Sequence, residues 1–151
     1  MATFLIQNVV FHSGMTKEHR IILNAIEEAL NRDPELRFGQ ALFNLSINQF
    51  VNPDNPAEAD YKMRDIHGDK DSDIIARIRR QQEWRELQQK IMSALEKPDL
   101  NGIGGMTVNE RLYVSGLMDD FDKYKKSNKR FAQFILERLK VDRDSIEKIL
   151  K

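Results

Sequence analysis

The chain of 151 residues is long enough to bury one hydrophobic core without disulfides or metal clips, and it contains no cysteine. The absence of thiols excludes disulfides, thiolate zinc sites and cysteine nucleophiles, and it fits a reducing cytoplasm. Twenty-four basic residues balance twenty-four acidic ones, so no net charge draws the whole molecule to nucleic acid or to an anionic membrane. We therefore predict a cytoplasmic protein whose partners contact local surface patches.

The N-terminal third predicts one strand and two helices. Residues 3–11 are rich in β-branched and aromatic side chains, which favours a strand, and their short, interrupted apolar runs predict neither a signal peptide nor a membrane span. A lone strand needs a partner, and pairing with a second copy would make a homodimer. A helix is predicted from Thr16, as its cap, to Arg32, where Asp33-Pro34 ends it and opens the next helix.

The middle of the chain predicts a long acidic loop followed by a long helix. Residues 48–71 combine prolines and a glycine with many Asp and Asn side chains, a composition typical of irregular connections. Between 52 and 73, seven acidic residues oppose three basic ones, a net charge of −4. The following helix is predicted from Ser72 to Glu96, with an apolar stripe on one face and charged residues on the other.

A glycine-rich segment then divides the chain. Three of the seven glycines lie within residues 101–106, and Thr107 followed by Glu110 has the pattern of a capping box at a helix start. We therefore predict an N-terminal helical unit over 1–100, a linker over 101–106 and a C-terminal unit over 107–151. The fold class is mainly α, a multi-helix bundle with one N-terminal strand. The C-terminal unit is predicted to contain three helices, over 107–125, 128–139 and 142–150, with Ser127 and Asp142 as caps.

Two segments resemble families of small bacterial and phage proteins that have no assigned activity. One is Pro34–Asn44, with its proline, leucine, arginine, glycine and glutamine pattern, followed by an acidic stretch that leads into residues 74–78. The other is Asn109–Asp122, which reads Asn-Glu-Arg-Leu-Tyr-Val-Ser-Gly-Leu-Met-Asp-Asp-Phe-Asp. The resemblance implies a bacterial or phage origin, and by analogy an accessory or inhibitory role toward a host system.

Catalytic motifs are absent from the sequence. No phosphate-binding or dinucleotide-binding loop occurs, and the three histidines lack the spacing of a helical zinc site. Glu110, Asp119 and Asp122 are the carboxylates that a divalent-metal enzyme would use, but their helical spacing favours a solvated face. We predict no cofactor, no metal and no enzymatic activity.

Two patches of opposite charge carry the functional hypotheses. From 123 to 143, eight basic residues oppose two acidic ones, a net charge of +6, and the aromatic neighbours Tyr124 and Phe131 have the spacing of core residues. Nucleic-acid binding is the alternative function of this region. Its phosphate-binding residues would be Lys123, Lys125, Lys126, Lys129 and Arg130.

Opposite charges at separate places favour a protein partner, because they steer association and select orientation. We therefore predict a non-enzymatic protein-binding module, a phage or mobile-element modulator or inhibitor of a bacterial defence system. Contact with the bacterial partner is predicted to run through the acidic loop. Its four candidate side chains are Asp54, Glu58, Asp60 and Asp65.

Overall fold

A computed structural model gives the architecture, and it describes residues 14–51, 62–97 and 100–151. Across these ranges the protein is mainly helical and has no sheet. The α-helices are α1 (Lys17–Arg32), α2 (Phe38–Asn44), α3 (Asp71–Leu95), α4 (Val108–Ser115), α5 (Met118–Ser127), α6 (Lys129–Arg138) and α7 (Arg143–Leu150). Among them, none has both the length and the apolar character that a membrane crossing requires. The predicted strand over 3–11 lies outside the described residues.

The chain forms two compact units, Met1–Gln82 and Glu83–Lys151. The predicted linker at 101–106 falls inside the second unit, where Ile103–Gly105 form a short 3₁₀ helix. Leu87 and Ile91, from the C-terminal half of α3, belong to the same buried cluster as residues of α4 to α7. The C-terminal half of α3 thus contributes to the core of the second unit, although it precedes the glycine-rich segment.

The first unit has a small core formed by α1, α2 and the first part of α3. Its buried side chains are Ala25, Ile26, Ala29, Ala41, Leu45, Ile47 and Ile78. Thr16 caps α1 as predicted, since its hydroxyl accepts a hydrogen bond from the His19 N–H at 3.1 Å. The predicted helix start at Pro34 is wrong: Asp33 accepts from the Glu35 N–H in a turn, and α2 begins only at Phe38.

The second unit has the larger core. Trp84 packs against Phe131 and Phe134 with ring centres 4.9 and 4.5 Å apart, and Tyr124 meets Phe131 edge-on at 5.1 Å. Both Tyr124 and Phe131 are buried, so their predicted role as core residues is confirmed. The predicted capping box is also confirmed, with the Thr107 N–H donating to Glu110 at 2.7 Å.

The predicted single helix over 107–125 is wrong, because Gly116 divides it into α4 and α5. Gly116 has φ +74°, a left-handed conformation that glycine adopts without steric cost. Its N–H bonds to the Tyr113 carbonyl, and the next N–H, from Leu117, bonds to the Leu112 carbonyl. This is the Schellman pattern of a helix end, and residues 107–151 therefore contain four helices instead of three.

Two other helices end in the same hydrogen-bond pattern without a glycine. Ser46 follows α2 with φ +58°, and Lys140 follows α6 with φ +57°. A left-handed backbone at these residue types costs about 1 kcal/mol. At both ends the carbonyl of the left-handed residue accepts a hydrogen bond from an arginine on another helix, Arg77 for Ser46 and Arg111 for Lys140.

Of the two residues predicted to cap the last two helices, Ser127 and Asp142, only Asp142 does so. Asp142 caps α7 as predicted, accepting from the Ser145 N–H at 2.9 Å. The prediction of Ser127 as a cap is wrong, since it is the last residue of α5 and its hydroxyl donates to the Lys123 carbonyl. Asn128 stands between α5 and α6, and its side chain makes no capping hydrogen bond.

Candidate interaction surfaces

The predicted acidic loop is closed at its base by a short antiparallel bridge between Phe50 and Met63. The Val51 N–H donates to the Lys62 carbonyl at 3.0 Å, and the Arg64 N–H donates to the Gln49 carbonyl at 2.9 Å. Residues 51 and 62 are therefore neighbours in space.

An arginine–aspartate clamp ties this base to α3. The Asp69 carboxylate accepts hydrogen bonds from Arg64 and from Arg77, the latter at 2.7 Å. Arg77 also donates to the carbonyls of Ser46 at 3.0 Å and Ile47 at 3.4 Å. The side chains of Asp69 and Arg77 are only 7% and 10% exposed, whereas that of Arg64 is 35% exposed. The clamp is therefore a partly buried connection between α3, the end of α2 and the bridge, in which one carboxylate is shared by two guanidinium groups.

A small apolar surface lies beside the clamp, and we call Phe43, Phe50 and Met63 the stem patch. Phe43 and Phe50 meet edge-on with ring centres 5.1 Å apart. Phe50 and Met63 are opposite each other in a non-hydrogen-bonded pair, the arrangement that brings cross-strand side chains closest. Phe43 is 41% exposed and Met63 45% exposed. Adjoining apolar side chains that remain this exposed are typical of contact surfaces.

The predicted partner-binding carboxylates are only partly placed by the structure. Asp54, Glu58 and Asp60 lie outside the described residues. Asp65 is exposed, two positions after the bridge, and its carboxylate accepts from the His67 N–H at 2.9 Å. Their role in partner binding stays a prediction.

The sequence does not predict the stem patch. Phe43 follows the helix start predicted at Asp33-Pro34, whereas Phe50 and Met63 fall within the predicted loop over 48–71. The available signal was the presence of a phenylalanine and a methionine at the two borders of a segment otherwise rich in Pro, Asp and Asn. Only the pairing of residues 50 and 63 makes them neighbours of Phe43.

The second unit carries the predicted basic residues on its surface, around the α5–α6 junction. All five are exposed, and we call Lys123, Lys125, Lys126, Lys129 and Arg130 the junction cluster. The Lys123 ammonium lies 4.7 Å from the centre of the Tyr124 ring, and the Lys125 ammonium lies 5.9 Å from that of Phe121. The Tyr124 hydroxyl, 3.5 Å from Lys123 Nζ, raises the pKa of that lysine, so it remains charged near neutral pH.

The carboxylates considered for a metal site are engaged elsewhere or dispersed. Glu110 belongs to the capping box, while Asp119 and Asp122 are exposed on α5. Their neighbour Asp120 pairs with Lys90. Within the described ranges, no three His, Asp or Glu side chains lie close enough together to hold a metal ion.

The two carboxylates that cap helices in the second unit predict a loss of stability in acid. Hydrogen bonds from the Thr107 backbone and hydroxyl lower the pKa of Glu110 below its usual 4.5. Hydrogen bonds from the Ser145 backbone and hydroxyl lower the pKa of Asp142 below its usual 3.8. A group with a lowered folded pKa stabilises the protein fully above its unfolded pKa, and this stabilisation disappears as the pH falls through the folded pKa.

We therefore expect the free energy of unfolding to fall more steeply for the wild type than for an E110Q/D142N variant between about pH 5 and about pH 3. Urea denaturation at a series of pH values measures both slopes. The two proteins should have parallel profiles between about pH 6 and about pH 8, where both carboxyls are ionised. Equal slopes in acid would contradict the assignment.

Comparisons with known protein families, curated proteins and solved structures return no match.

Proposed function

We propose that the protein is a non-enzymatic protein-binding module and that the stem patch is the centre of its contact surface. The observation that supports this is the edge-on contact of Phe43 with Phe50, which is paired across the bridge with Met63, while the side chains of Phe43 and Met63 remain nearly half exposed. Aromatic residues and methionine are enriched in protein interfaces. A methionine also adapts its shape to the partner surface.

The chemistry of the partner follows from the charges that accompany the patch. Asp54, Glu58 and Asp60 lie between the two bridged positions in the sequence, and Asp65 follows them. A complementary partner would present an apolar pocket bordered by arginine or lysine side chains, because opposite potentials accelerate encounter and fix orientation. The resemblance of two segments to bacterial and phage proteins supports the further proposal that the chain is a modulator or inhibitor of a bacterial system, including a defence system.

The clamp supports affinity by holding the patch in place before binding. Asp69 accepts hydrogen bonds both from Arg64, which follows the bridge residue Met63, and from Arg77 of α3. A surface that is already ordered loses less conformational entropy when a partner docks. The patch residues therefore act on the partner directly, whereas the clamp residues act by positioning the patch.

The test is an affinity capture from nuclease-treated lysate of the source cells, with three forms of the protein. The wild type should retain a protein in stoichiometric amount, and the F43S/M63S variant should retain it at least about thirtyfold less strongly, as loss of an interface hot spot implies. M92S is the matched control, since Met92 is also an exposed methionine, 60% accessible, but lies in the second unit. Equal retention by wild type and F43S/M63S, both folded by circular dichroism, would overturn the proposal.

The acidic contribution is tested separately by replacing Asp54, Glu58, Asp60 and Asp65 together with alanine. We expect weaker capture, together with a smaller dependence of the remaining binding on salt, because rim charges act mainly through long-range attraction. Unchanged capture by this variant, with loss in F43S/M63S, would retain the stem patch and reject the acidic contact.

A further inference from the structure

The junction cluster is a concentration of positive charge that the proposed protein-binding surface does not use. It lies in the second unit, whereas the stem patch lies in the first. In the part of the chain that the structure describes, Lys125, Lys126 and Lys129 form no ion pair. Their charges are exposed to solvent and available to a partner.

Helix stability does not account for this arrangement. Lys125 and Lys126 in the last turn of α5 interact favourably with the helix dipole, but Lys129 and Arg130 occupy the first turn of α6, where cations are unfavourable. Lys123 and Lys126 are also like charges one turn apart on α5, which is unfavourable. Local features that oppose stability are expected where a surface serves binding.

The composition of the cluster favours phosphates over a protein surface. Four of its five cations are lysines, which protein interfaces disfavour, whereas arginines and aromatic residues are enriched there. The exposed large apolar side chains described in the second unit are Met92 and Tyr113, and neither lies on α5 or α6. The described residues of the two helices that carry the cluster therefore include no exposed large apolar side chain that could serve as the anchor of a protein interface. Contacts to phosphate oxygens require only charge and donors.

The burial of the neighbouring aromatic rings favours a duplex over a single strand. Proteins that bind single strands stack bases on exposed aromatic side chains. Here Phe121, Tyr124 and Phe131 are each about 5% exposed and belong to the core. The cluster offers charge to a phosphate backbone and no stacking surface to a base.

We propose that the junction cluster binds the phosphate backbone of double-stranded nucleic acid without regard to sequence. This activity goes beyond the proposed protein binding and uses a different unit. A protein with both surfaces would bring its protein partner to nucleic acid, or bind the partner where that partner already acts on nucleic acid.

The test measures fluorescence anisotropy of a labelled DNA duplex of about 20 base pairs, of its single strand, and of a second duplex of unrelated sequence. Both duplexes should bind equally, with a dissociation constant of about 1 to 100 μM at physiological salt. The single strand should bind more weakly. The logarithm of affinity should fall with the logarithm of salt with a slope of about −4, which corresponds to four or five neutralised phosphates.

Two triple variants with the same change in net charge separate the cluster from general electrostatics. K125E/K126E/K129E should weaken duplex binding more than tenfold and reduce the slope by about 3, since each lost phosphate contact removes about 0.9. K17E/R20E/R79E changes exposed cations of the first unit and should alter affinity by less than about threefold, because these cations are not among the proposed phosphate contacts.

Four outcomes would overturn the proposal. They are absence of duplex binding at low salt, equal weakening by the two triple variants, tighter binding of the single strand than of the duplex, and displacement of the duplex by poly-glutamate at equal charge concentration. The last result would assign the cluster to an acidic protein instead.

Discussion

Replacing Arg111 with alanine is expected to lower the free energy of unfolding of the second unit by about 3 kcal/mol. Its guanidinium donates hydrogen bonds to four backbone carbonyls: those of Met106 at 2.9 Å, Leu139 at 3.1 Å, Lys140 at 2.7 Å and Gly104 at 3.3 Å. These acceptors lie beside the 3₁₀ helix and at the end of α6. Without the arginine, the hydrogen bonds that join the glycine-rich segment to the left-handed Lys140 are lost. The partly buried carbonyls among the acceptors also lose their charged donor.

The chain's single tryptophan makes this measurable within one unit. Trp84 packs against Phe131 and Phe134 in the core of the second unit, so its fluorescence during urea denaturation follows the unfolding of that unit. Arg111→Lys should recover only part of the loss, because an ammonium cannot reproduce the planar fork of a guanidinium. Arg143→Ala is the control and should cost less than about 1 kcal/mol, since Arg143 forms an exposed pair with Glu147. Similar losses for Arg111→Ala and Arg143→Ala would contradict this role.

Replacing Asp69 with alanine is expected to lower the free energy of unfolding of the first unit by about 3 kcal/mol. The substitution leaves the Arg77 guanidinium nearly buried without its counter-charge, and it also removes the carboxylate that Arg64 contacts. Breaking a buried ion pair from one side is costly because the remaining charge has lost its solvation. We expect the bridge and the left-handed Ser46 to become less stable as well, because Arg77 donates a hydrogen bond to the Ser46 carbonyl.

Hydrogen exchange followed by mass spectrometry detects this loss in the peptides of α1, α2 and the bridge. Exchange there should accelerate by about a hundredfold, the factor that corresponds to 3 kcal/mol. Asp65→Ala is the control, because Asp65 is exposed and accepts a single backbone hydrogen bond, and it should leave exchange in α1 and α2 unchanged. Equal protection in the Asp69 variant and the wild type would show that the clamp is not a stabilising element.

The helix caps predicted correctly from the sequence depend on interactions within one helical turn. Thr16, the Thr107–Glu110 box and Asp142 each bond to a group three residues away, and such patterns are visible in the order of the residues. The division at Gly116 was missed because good helical spacing on both sides of the glycine favoured a single helix. The hydrogen bonds that end α4 there accompany the complete burial of Leu117 in the core, which local spacing does not reveal.

The helix ends at Ser46 and Lys140 lacked any local signal. Neither residue is a glycine, and each is bonded to an arginine 31 or 29 positions away in the sequence. The stem patch depends in the same way on a contact at long range, the pairing of residues 50 and 63. Propensity and periodicity describe neighbours along the chain, so contacts of this kind become visible only when the chain is folded.

The central claim, that the stem patch binds a protein, is tested most directly by photo-crosslinking from single positions. A photoreactive amino acid is placed at position 63 in one protein and at position 92 in another, and both are irradiated in nuclease-treated lysate of the source cells. We predict that position 63 crosslinks one dominant protein, that Phe43→Ser removes this product, and that position 92 does not yield it. Absence of a specific product at position 63, or the same products at both positions, would contradict the proposed function.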